Sequence, residues 1–413
     1  MRIALVGAGQ RGRIYADYMH GTGRAQIVAV VEPDEQRRRA AADALSIPED
    51  RCFATAESLF KLGKIADGVI IASMDREHYA QAMAAMEAGY DLLLEKPISP
   101  VLSECVALRV RARALGRRVT VCHVLRYTPF FITLKHLLDE RVVGRPICIR
   151  HEENIGNFHM AHSFVRGNWA NQTQSSPIIL QKSCHDMDIL VWLTGSRCET
   201  LSSIGALHYF STANAPYGSA ARCADCIVRE TCRFDAEKCY LPIAGDWPAV
   251  VVSPDQSQEG LRAALKNGPY GRCVYRCGND VCDDQATLME FENGMSVTFG
   301  MSAFTNRVCR TIRILCEDGE IYGNDEERLI KITRFASNSA DAYTVEEIHT
   351  AMPGSGHGGG DHLLVDDFLR TLNGEQTNSC SSLDESIESH LMAFAAERSR
   401  LAGGERVSLN SLR

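Results

Sequence analysis

The first third of the chain alternates short apolar runs with amphipathic segments. The apolar runs predict strands at residues 3–6, 27–31, 69–72, 92–94 and 119–121. The segments between them predict helices from about residue 13 and at 34–45, 77–88 and 103–115. Continuous apolar strands separated by helices are typical of a parallel sheet covered on both faces. The pattern therefore predicts a doubly wound α/β domain over residues 1–124.

From about residue 125 the pattern changes to alternating polar and apolar positions interrupted by tight turns. The dipeptides Asn293-Gly294 and Asp318-Gly319 predict two hairpins. Further strands are predicted at residues 146–153, 200–207, 285–291, 296–301, 311–315 and 329–333. Helices predicted at 130–139, 184–193, 362–372 and 383–401 would cover one face of the sheet. This predicts an α+β domain over residues 125–413, with a mostly antiparallel open sheet and a cysteine-rich insertion at 208–284.

A glycine fingerprint follows the first strand directly. Gly7, Gly9 and Gly12 have the spacing that lets a backbone turn approach a pyrophosphate at a helix N-terminus. Glu32, at the end of the second strand, is placed to accept hydrogen bonds from ribose hydroxyls and to repel a 2′-phosphate, which favours NAD over NADP. The arginines at 37–39 are interpreted as a solvated helix face, with contact to a cofactor phosphate as the alternative. The other residues expected around the cofactor are Gln10, Arg11, Ser73, His78, Glu95 and Lys96.

Size and charge narrow the class of protein. The 413 residues, 45% of them hydrophobic, are enough for two cores. A net charge of −8 argues against nucleic-acid binding. No apolar run reaches the length of a membrane span, and the N-terminus enters a strand without a signal peptide, so we expect a cytoplasmic protein with a small-molecule partner.

Four motifs carry a family resemblance. They are the glycine fingerprint, Glu95-Lys96-Pro97, residues 123–127 and residues 182–188. With them the chain resembles the glucose-fructose oxidoreductase and myo-inositol dehydrogenase (Gfo/Idh/MocA) family. The resemblance implies hydride transfer between a hydroxyl-bearing ring carbon and the nicotinamide of NAD, with a sugar or cyclitol as substrate.

The same resemblance assigns the catalytic groups. Lys96 would stabilise the reacting oxygen, and His185 of the second domain would remove the hydroxyl proton. The family pattern has an aspartate four residues before this histidine, but this chain has Gln181 there, followed by Lys182. Either His185 works with Lys96 alone, or Lys182 joins the proton relay. Asp186 or Asp188 is expected to hold the imidazole of His185.

Substrate candidates cluster in three segments of the second domain. Residues 151–169 mix polar and aromatic side chains, which suits either sugar recognition or a solvated loop. The glycine-rich stretch before residue 362 either approaches a ligand or only caps a helix with Asp361. The residues expected to contact substrate are Arg126, Tyr127, His159, His162, Arg166, Trp169, Asp186 and His357.

The insertion contains a cysteine cluster. Cys223, Cys226, Cys232 and Cys239 could hold a structural zinc ion, remain reduced or form disulfides, or bind an iron–sulfur cluster. A second group, Cys273, Cys277 and Cys282, could complete the site instead.

These features lead to one principal function and two alternatives. The principal hypothesis is an NAD-dependent oxidoreductase acting on a sugar, glycoside or cyclitol. One alternative is a redox-neutral, NAD-dependent glycoside hydrolase or lyase that oxidises the ring transiently and eliminates a substituent. The other is a non-catalytic NAD-binding regulatory protein. The open sheet face predicts a homodimer or homotetramer.

Overall fold

The computed structural model describes residues 1–336, 343–352, 357–375 and 381–413. The strands are β1 (Arg2–Val6), β2 (Gln26–Val31), β3 (Cys52–Phe53), β4 (Gly68–Ile71), β5 (Asp91–Leu94), β6 (Val119–Val121), β7 (Pro146–Asn154), β8 (Cys198–Ala206), β9 (Asp284–Phe291), β10 (Ser296–Ser302), β11 (Cys309–Cys316), β12 (Gly319–Asn324), β13 (Leu329–Phe335), β14 (Tyr343–His349) and β15 (Val407–Ser408). The helices are α1 (Gln10–Gly21), α2 (Glu35–Leu45), α3 (Ala56–Phe60), α4 (His78–Glu87), α5 (Leu102–Leu115), α6 (Pro129–Asp139), α7 (Asn157–His159), α8 (Ile178–Gln181), α9 (Cys184–Thr194), α10 (Ala236–Tyr240), α11 (Ala249–Val252), α12 (Gln258–Asn267), α13 (Gly360–Leu372) and α14 (Leu383–Leu401).

The first sheet is parallel and six-stranded, in the order β3-β2-β1-β4-β5-β6. Its central strands are buried along nearly their whole length, because helices cover both faces. This confirms the doubly wound prediction, to which the structure adds the short edge strand β3. Ligands of such sheets bind beyond the carboxyl ends of the strands, where the chain leaves β1, β2, β4 and β5.

The second sheet is mixed and has nine strands, in the order β14-β13-β12-β11-β7-β10-β9-β8-β15. Every pair is antiparallel except β10 with β7, which confirms a mostly antiparallel sheet. Buried and exposed residues alternate along β9 and β10, so one face packs against helices and the other faces outward.

The two C-terminal helices depart from the expectation that both cover the second sheet. Leu364, Val365 and Phe368 of α13 lie in the same core as Ile3 and Leu5 of β1. The helix therefore packs on the first sheet.

Helix α14 joins the two cores. It begins with Leu383 and Ile387 in the core of the first sheet and continues with Leu391 and Met392 in the core of the second. A single rigid helix thus connects the two halves of the structure. Within the described residues, no helix combines the length and the apolar character needed to cross a lipid bilayer.

Candidate active site

Each glycine of the fingerprint has a separate geometric reason. Gly7 has a φ of +91°, and a Cβ there would lie 2.5 Å from the carbonyl oxygen of Ala72. A Cβ on Gly12 would collide with the carbonyl oxygen of Gly7, so this glycine allows α1 to pack closely on the turn. A Cβ on Gly9 would meet nothing within 4 Å. The space above Gly9 is therefore open to a ligand.

The N-terminus of α1 is suited to a phosphate group. Gly9 is the N-cap, and no side chain caps the first N–H groups of the helix. Gln10, the first residue of α1, is exposed. Uncapped N–H groups and the helix dipole together favour an anion at this position. The loop therefore fits the pyrophosphate of a dinucleotide.

Glu32 lies where a ribose-binding carboxylate is expected. It is buried at the end of β2, and its carboxylate accepts hydrogen bonds from the N–H of Ala8 (3.0 Å) and from Arg37 Nη2 (2.8 Å). Arg38 Nη1 donates to the backbone oxygen of Glu32 at 2.6 Å. Arg37 and Arg38 thus bond to Glu32, while Arg37 and Arg39 remain exposed as the solvated-face interpretation expects.

A buried ion cluster supports the loop that carries Lys96. Glu95 accepts from Arg11 Nε (2.9 Å) and from the hydroxyl of Tyr15 (2.6 Å). Burial alone would raise the pKa of Glu95, but the charges of Arg11 and Lys96 outweigh burial and hold it below its ordinary value. Arg11 also pairs with Asp361 of α13 at 2.6 Å. Asp361 is therefore an ion-pair partner inside the helix and not its N-cap, which is Gly359. Arg11, expected at the cofactor, is engaged with these carboxylates.

Two other cofactor candidates brace neighbouring loops. His78 is 1% exposed, and its ring nitrogens lie 2.7 Å from the oxygen of Pro97 and 3.1 Å from the oxygen of Ser73. The hydroxyl of Ser73 donates to Gln81 Oε1 at 2.7 Å. His78 thus ties the loop after β4 to the loop after β5, and its expected contact with the cofactor stays a prediction.

Lys96 connects the two halves of the structure. Its N–H donates to the carboxylate of Glu95 at 3.0 Å, which fixes the backbone, and its Nζ donates to the oxygen of Gln181 at 2.8 Å. Gln181 is the last residue of α8, and His185 lies four residues further along the chain in α9. The ammonium of Lys96 is therefore held next to the segment that carries the predicted proton acceptor.

Lys182 and His185 form the wall of this site that the second domain contributes. Lys182 Nζ lies 3.4 Å from Glu153 Oε1. Burial lowers the pKa of Lys182, even though Glu153 opposes the shift. The imidazole of His185 packs edge-on against that of His123, with ring centroids 5.7 Å apart. Burial holds the pKa of His123 well below its ordinary value, so the neighbour of His185 is a neutral ring.

Asp186 belongs to a buried network behind this wall. Its carboxylate accepts from Arg310 Nε at 2.7 Å and lies 2.8 Å from His151 Nε2. Arg310 also pairs with Glu153. Asp186 therefore orients His151 and not His185; it is fully buried, and its expected substrate contact stays a prediction.

Sequence reasoning missed His151, Glu153 and Arg310. The available signal was that His151 and Glu153 are two residues apart in β7 and so share its inward face. Ionisable residues on a buried strand face need partners.

The candidates Arg126 and Tyr127 are likewise committed to protein partners. The guanidinium of Arg126 is 3% exposed and binds Asp188 through two hydrogen bonds of 2.6 and 2.8 Å. The hydroxyl of Tyr127 donates to Asp367 Oδ2 at 2.8 Å. Asp188 therefore holds Arg126, with His123 Nε2 at 3.9 Å, instead of holding His185. These residues join α9 to the first half of the structure.

The remaining candidates pack with the insertion. His162 is 3% exposed and stacks on Tyr270 with ring centroids 4.6 Å apart. Burial and then Arg166 lower the pKa of His162 to about 4. His159 lies edge-on to Trp247 at 5.1 Å, and Trp169 packs near Phe164.

Arg166 is completely enclosed, and two of its nitrogens donate to the oxygens of Arg272 (2.8 Å) and Phe234 (2.7 Å). These two nitrogens are therefore engaged by the protein, and the expected substrate contact stays a prediction. The side chain of His357 lies outside the described residues, so its expected role is neither supported nor opposed.

The fifteen described cysteines are free thiols, and they include all four of the predicted metal ligands. No three His, Cys, Asp or Glu side chains in the described ranges already stand close enough to share one metal ion. Neither the ligand set with Cys239 nor one with Cys273 is therefore assembled among the described residues. Cys273 takes the place of Cys239 around the small cavity in the insertion.

Comparison with known proteins decides the family. Residues 1–123 match the model of the GFO_IDH_MocA oxidoreductase family, described as an NAD-binding Rossmann fold. The first 123 residues belong to the Gfo/Idh/MocA oxidoreductase family. The matched residues hold the complete glycine loop, Glu32 and Lys96, so the family assignment and the geometry concern the same part of the molecule.

Similarity extends beyond this first part. YteT of Bacillus subtilis, which carries the name of an oxidoreductase, is 24% identical over 314 residues, covering 73% of this chain and 72% of that protein. Inositol 2-dehydrogenase 4 of Saccharopolyspora erythraea is 30% identical over 221 residues, 53% of this chain and 60% of the relative. An Agrobacterium radiobacter oxidoreductase, solved with NAD⁺, L-tartaric acid and magnesium, has a TM-score of 0.70 at 15% identity, with 100% of this chain and 99% of that chain covered. The structural likeness establishes the shared fold.

Proposed function

We propose that this family member is an NAD-dependent dehydrogenase that oxidises a secondary alcohol on the ring of a sugar or cyclitol. The observation that carries the proposal is Lys96, held between the cofactor loop and α8 by hydrogen bonds from its N–H to Glu95 and from its Nζ to Gln181. The dehydrogenase name of the Saccharopolyspora relative supports a polyhydroxylated ring as substrate. None of the relatives described above is named for glycoside cleavage, so the redox-neutral alternative gains no support.

The roles of the protein groups follow from charge and position. Bound NAD would accept the hydride. Lys96 presents a cation to the substrate oxygen, where negative charge develops as the hydroxyl proton leaves. His185 accepts that proton, and the neutral ring of His123 beside it adds no competing charge. Glu95 keeps the loop of Lys96 in place by accepting a hydrogen bond from the backbone N–H of Lys96. None of the described hydrogen bonds joins Glu95 to the Nζ of Lys96.

Lys182 joins the proton relay in this proposal. Gln181 cannot accept a proton, whereas burial lowers the pKa of the amine of Lys182 towards the range in which it exchanges protons. We expect Lys182→Arg, which keeps the charge but cannot release a proton near neutral pH, to lower kcat and to remove one limb of the pH profile of kcat. Lys61→Arg is the matched control, because Lys61 is the exposed C-cap residue of α3. An unchanged pH profile in Lys182→Arg would remove this residue from the relay.

The test of the function compares three variants with the wild type. Lys96→Ala and His185→Ala should each lower kcat about a hundredfold or more while dinucleotide affinity stays within about threefold. Lys61→Ala should change neither quantity. Reduced nicotinamide absorbance is followed with myo-inositol and a panel of free sugars, and dinucleotide binding is measured by calorimetry. Failure of every ring alcohol to reduce NAD, or full activity without Lys96, would contradict the proposal.

Self-association remains a separate part of the proposal. The outward face of the second sheet exposes Ile204 of β8 and Leu288 of β9, which are 62% and 63% accessible. Covering such residues would stabilise a homodimer or homotetramer. Light scattering of the wild type and of Leu288→Lys tests this, since a dimer through this face should dissociate in the variant.

A further inference from the structure

The insertion contains a thiol-lined cavity that the proposed dehydrogenase reaction does not use. The cavity has a volume of about 20 Å³ and is lined by Cys223, Cys226, Cys232 and Cys273. Three of these thiols come from one short stretch, and the fourth comes from a later turn that the antiparallel bridge between Arg222 and Arg272 places beside it. A space of this size accommodates about one water-sized or ion-sized occupant.

The second observation is the buried cation at the edge of this cavity. Arg166 lines the cavity, is 1% exposed and carries a permanent charge. Its Nη2 donates to Cys223 Sγ at 3.4 Å, and its Nη1 is buried without a hydrogen-bond partner among the described residues. No carboxylate in the described ranges forms an ion pair with it.

The nearby carboxylate of Asp235 does not form an ion pair with Arg166. Asp235 also lines the cavity, but its carboxylate lies 3.5 Å from Arg229. Burying a charge without an ion-pair partner is costly, so negative charge beside Arg166 would be stabilising. Thiolates in the cavity would supply that negative charge and would accept the free N–H of Arg166.

The surrounding chain gives little support of its own. Between residues 211 and 235 the described backbone consists of turns and two single 3₁₀ turns. Of the large apolar side chains in this stretch, Tyr217 and Ile227 are exposed, at 101% and 81% accessible, whereas Phe234 is buried. A segment that buries so few apolar groups gains stability from a structural metal ion.

We propose that Cys223, Cys226, Cys232 and Cys273 bind one structural zinc ion as thiolates, with the guanidinium of Arg166 donating to their sulfurs. The thiols do not yet stand at coordination distance. Binding therefore requires rotation about the Cα–Cβ bonds into the cavity, to zinc–sulfur distances of about 2.3 Å. Four sulfur–hydrogen bonds break, four zinc–sulfur bonds form and four protons leave to solvent, with no change of oxidation state.

The geometry favours this ligand set over its competitors. Cys239 does not line the cavity, and its thiol donates to the oxygen of Arg233 at 3.6 Å. Cys277 also lies outside the lining, with its thiol 3.2 Å from the oxygen of Cys273. An iron–sulfur cluster is larger than the cavity, because it adds several iron and sulfide atoms to the same four thiolates.

The experiment measures metal in the full-length protein purified without chelator. Elemental analysis should find one zinc per chain in the wild type and in Cys239→Ser, and at least about a tenfold lower content in Cys223→Ser and Cys273→Ser. Because a ligand variant can fail to fold, zinc release from the wild type by a thiol-blocking mercurial provides a second measurement. Cobalt added to metal-free wild type should give the intense visible bands of tetrahedral thiolate coordination.

Four results would overturn the proposal. They are wild-type protein without zinc, equal zinc in Cys273→Ser and wild type, iron with visible absorbance, and an intact mass that shows disulfides under non-reducing conditions. None of these measurements depends on turnover, so the zinc proposal and the dehydrogenase proposal can fail independently.

Discussion

The glycine loop and the buried charge network around Asp186 show two different ways of building a site. The loop is made of backbone: Gly7 and Gly12 are fixed by close contacts and Gly9 is left open. The network is made of buried charges, in which Arg310 forms ion pairs with both Asp186 and Glu153. The comparison teaches that a motif of small residues reveals its purpose in sequence, whereas charged residues reveal theirs only when their partners are known.

The largest effect is expected from removing Arg310, the central cation of this network. Arg310→Met leaves the carboxylates of Asp186 and Glu153 buried without their guanidinium, so we expect the free energy of unfolding to fall by about 3–5 kcal/mol. Arg313→Met is the matched control, because Arg313 lies on the same strand and pairs with Glu320 at the surface. Its cost should be about 0–1 kcal/mol. Denaturant titration measures the free energy of unfolding of both variants. Equal losses would mean that the buried network stabilises the fold no more than a surface ion pair does.

The next effect separates ligand binding from stability in the loop. Gly9→Ala adds a Cβ in space that the protein leaves open, so it should cost at most about 1 kcal/mol of stability, mainly as a poorer N-cap. The same Cβ would obstruct the pyrophosphate and weaken dinucleotide binding about tenfold or more. Gly21→Ala, at the other end of α1 and equally open, should leave binding unchanged. Calorimetry with NAD distinguishes the two; normal affinity in Gly9→Ala would place the ligand elsewhere.

A smaller effect concerns the choice between NAD and NADP. Glu32→Ala removes the carboxylate and frees Arg37 to receive a 2′-phosphate, whereas Arg38 keeps its bond to the backbone oxygen of residue 32. We expect weaker binding of NAD and a preference for NAD over NADP reduced about tenfold. The double variant Glu32→Ala with Arg37→Ala should recover part of the discrimination by removing one cation. Titration of each variant with both dinucleotides checks this, and an unchanged preference would exclude Glu32 from the ribose site.

The smallest effect is a pH dependence of stability. Arg310 and His151 overcome burial and hold the pKa of Asp186 below its ordinary value. A carboxylate with a depressed folded-state pKa contributes stability above its unfolded pKa of about 3.9 and loses it as the pH falls below that value. Asp186→Asn should therefore be less stable than wild type at neutral pH but flatter between about pH 4 and pH 2. Parallel acid-unfolding slopes in the two proteins would show that another carboxylate dominates.

Much of the fold could be predicted because it depends on local patterns. Strand β6 and helix α14 have the same bounds in sequence and structure, and the others differ by a few residues at their ends. Strand β3 and helix α3 were missed because two and five residues carry too little periodicity. The longer elements β14 and α12 were also not predicted. The destination of α13 was wrong because an apolar helix face does not say which sheet it covers.

The candidate site divides in the same way. Gly7, Gly9, Gly12, Glu32 and Lys96 stand where the motifs placed them. Most of the substrate candidates, by contrast, bond to other groups of the protein. Arg126 binds Asp188, and Arg166 is enclosed beside the cysteines.

The sequence by itself determined the two sheets, the cofactor edge and the lysine beside it, because strand period, helix period and glycine spacing act over a few neighbouring residues. Only the tertiary structure decided which charges meet. Arg310 reaches Asp186 across 124 positions of chain, and Cys273 joins Cys223 only through the folding of the insertion. Such pairings depend on which surfaces come together in the folded core, and the order of residues along a chain does not encode them locally.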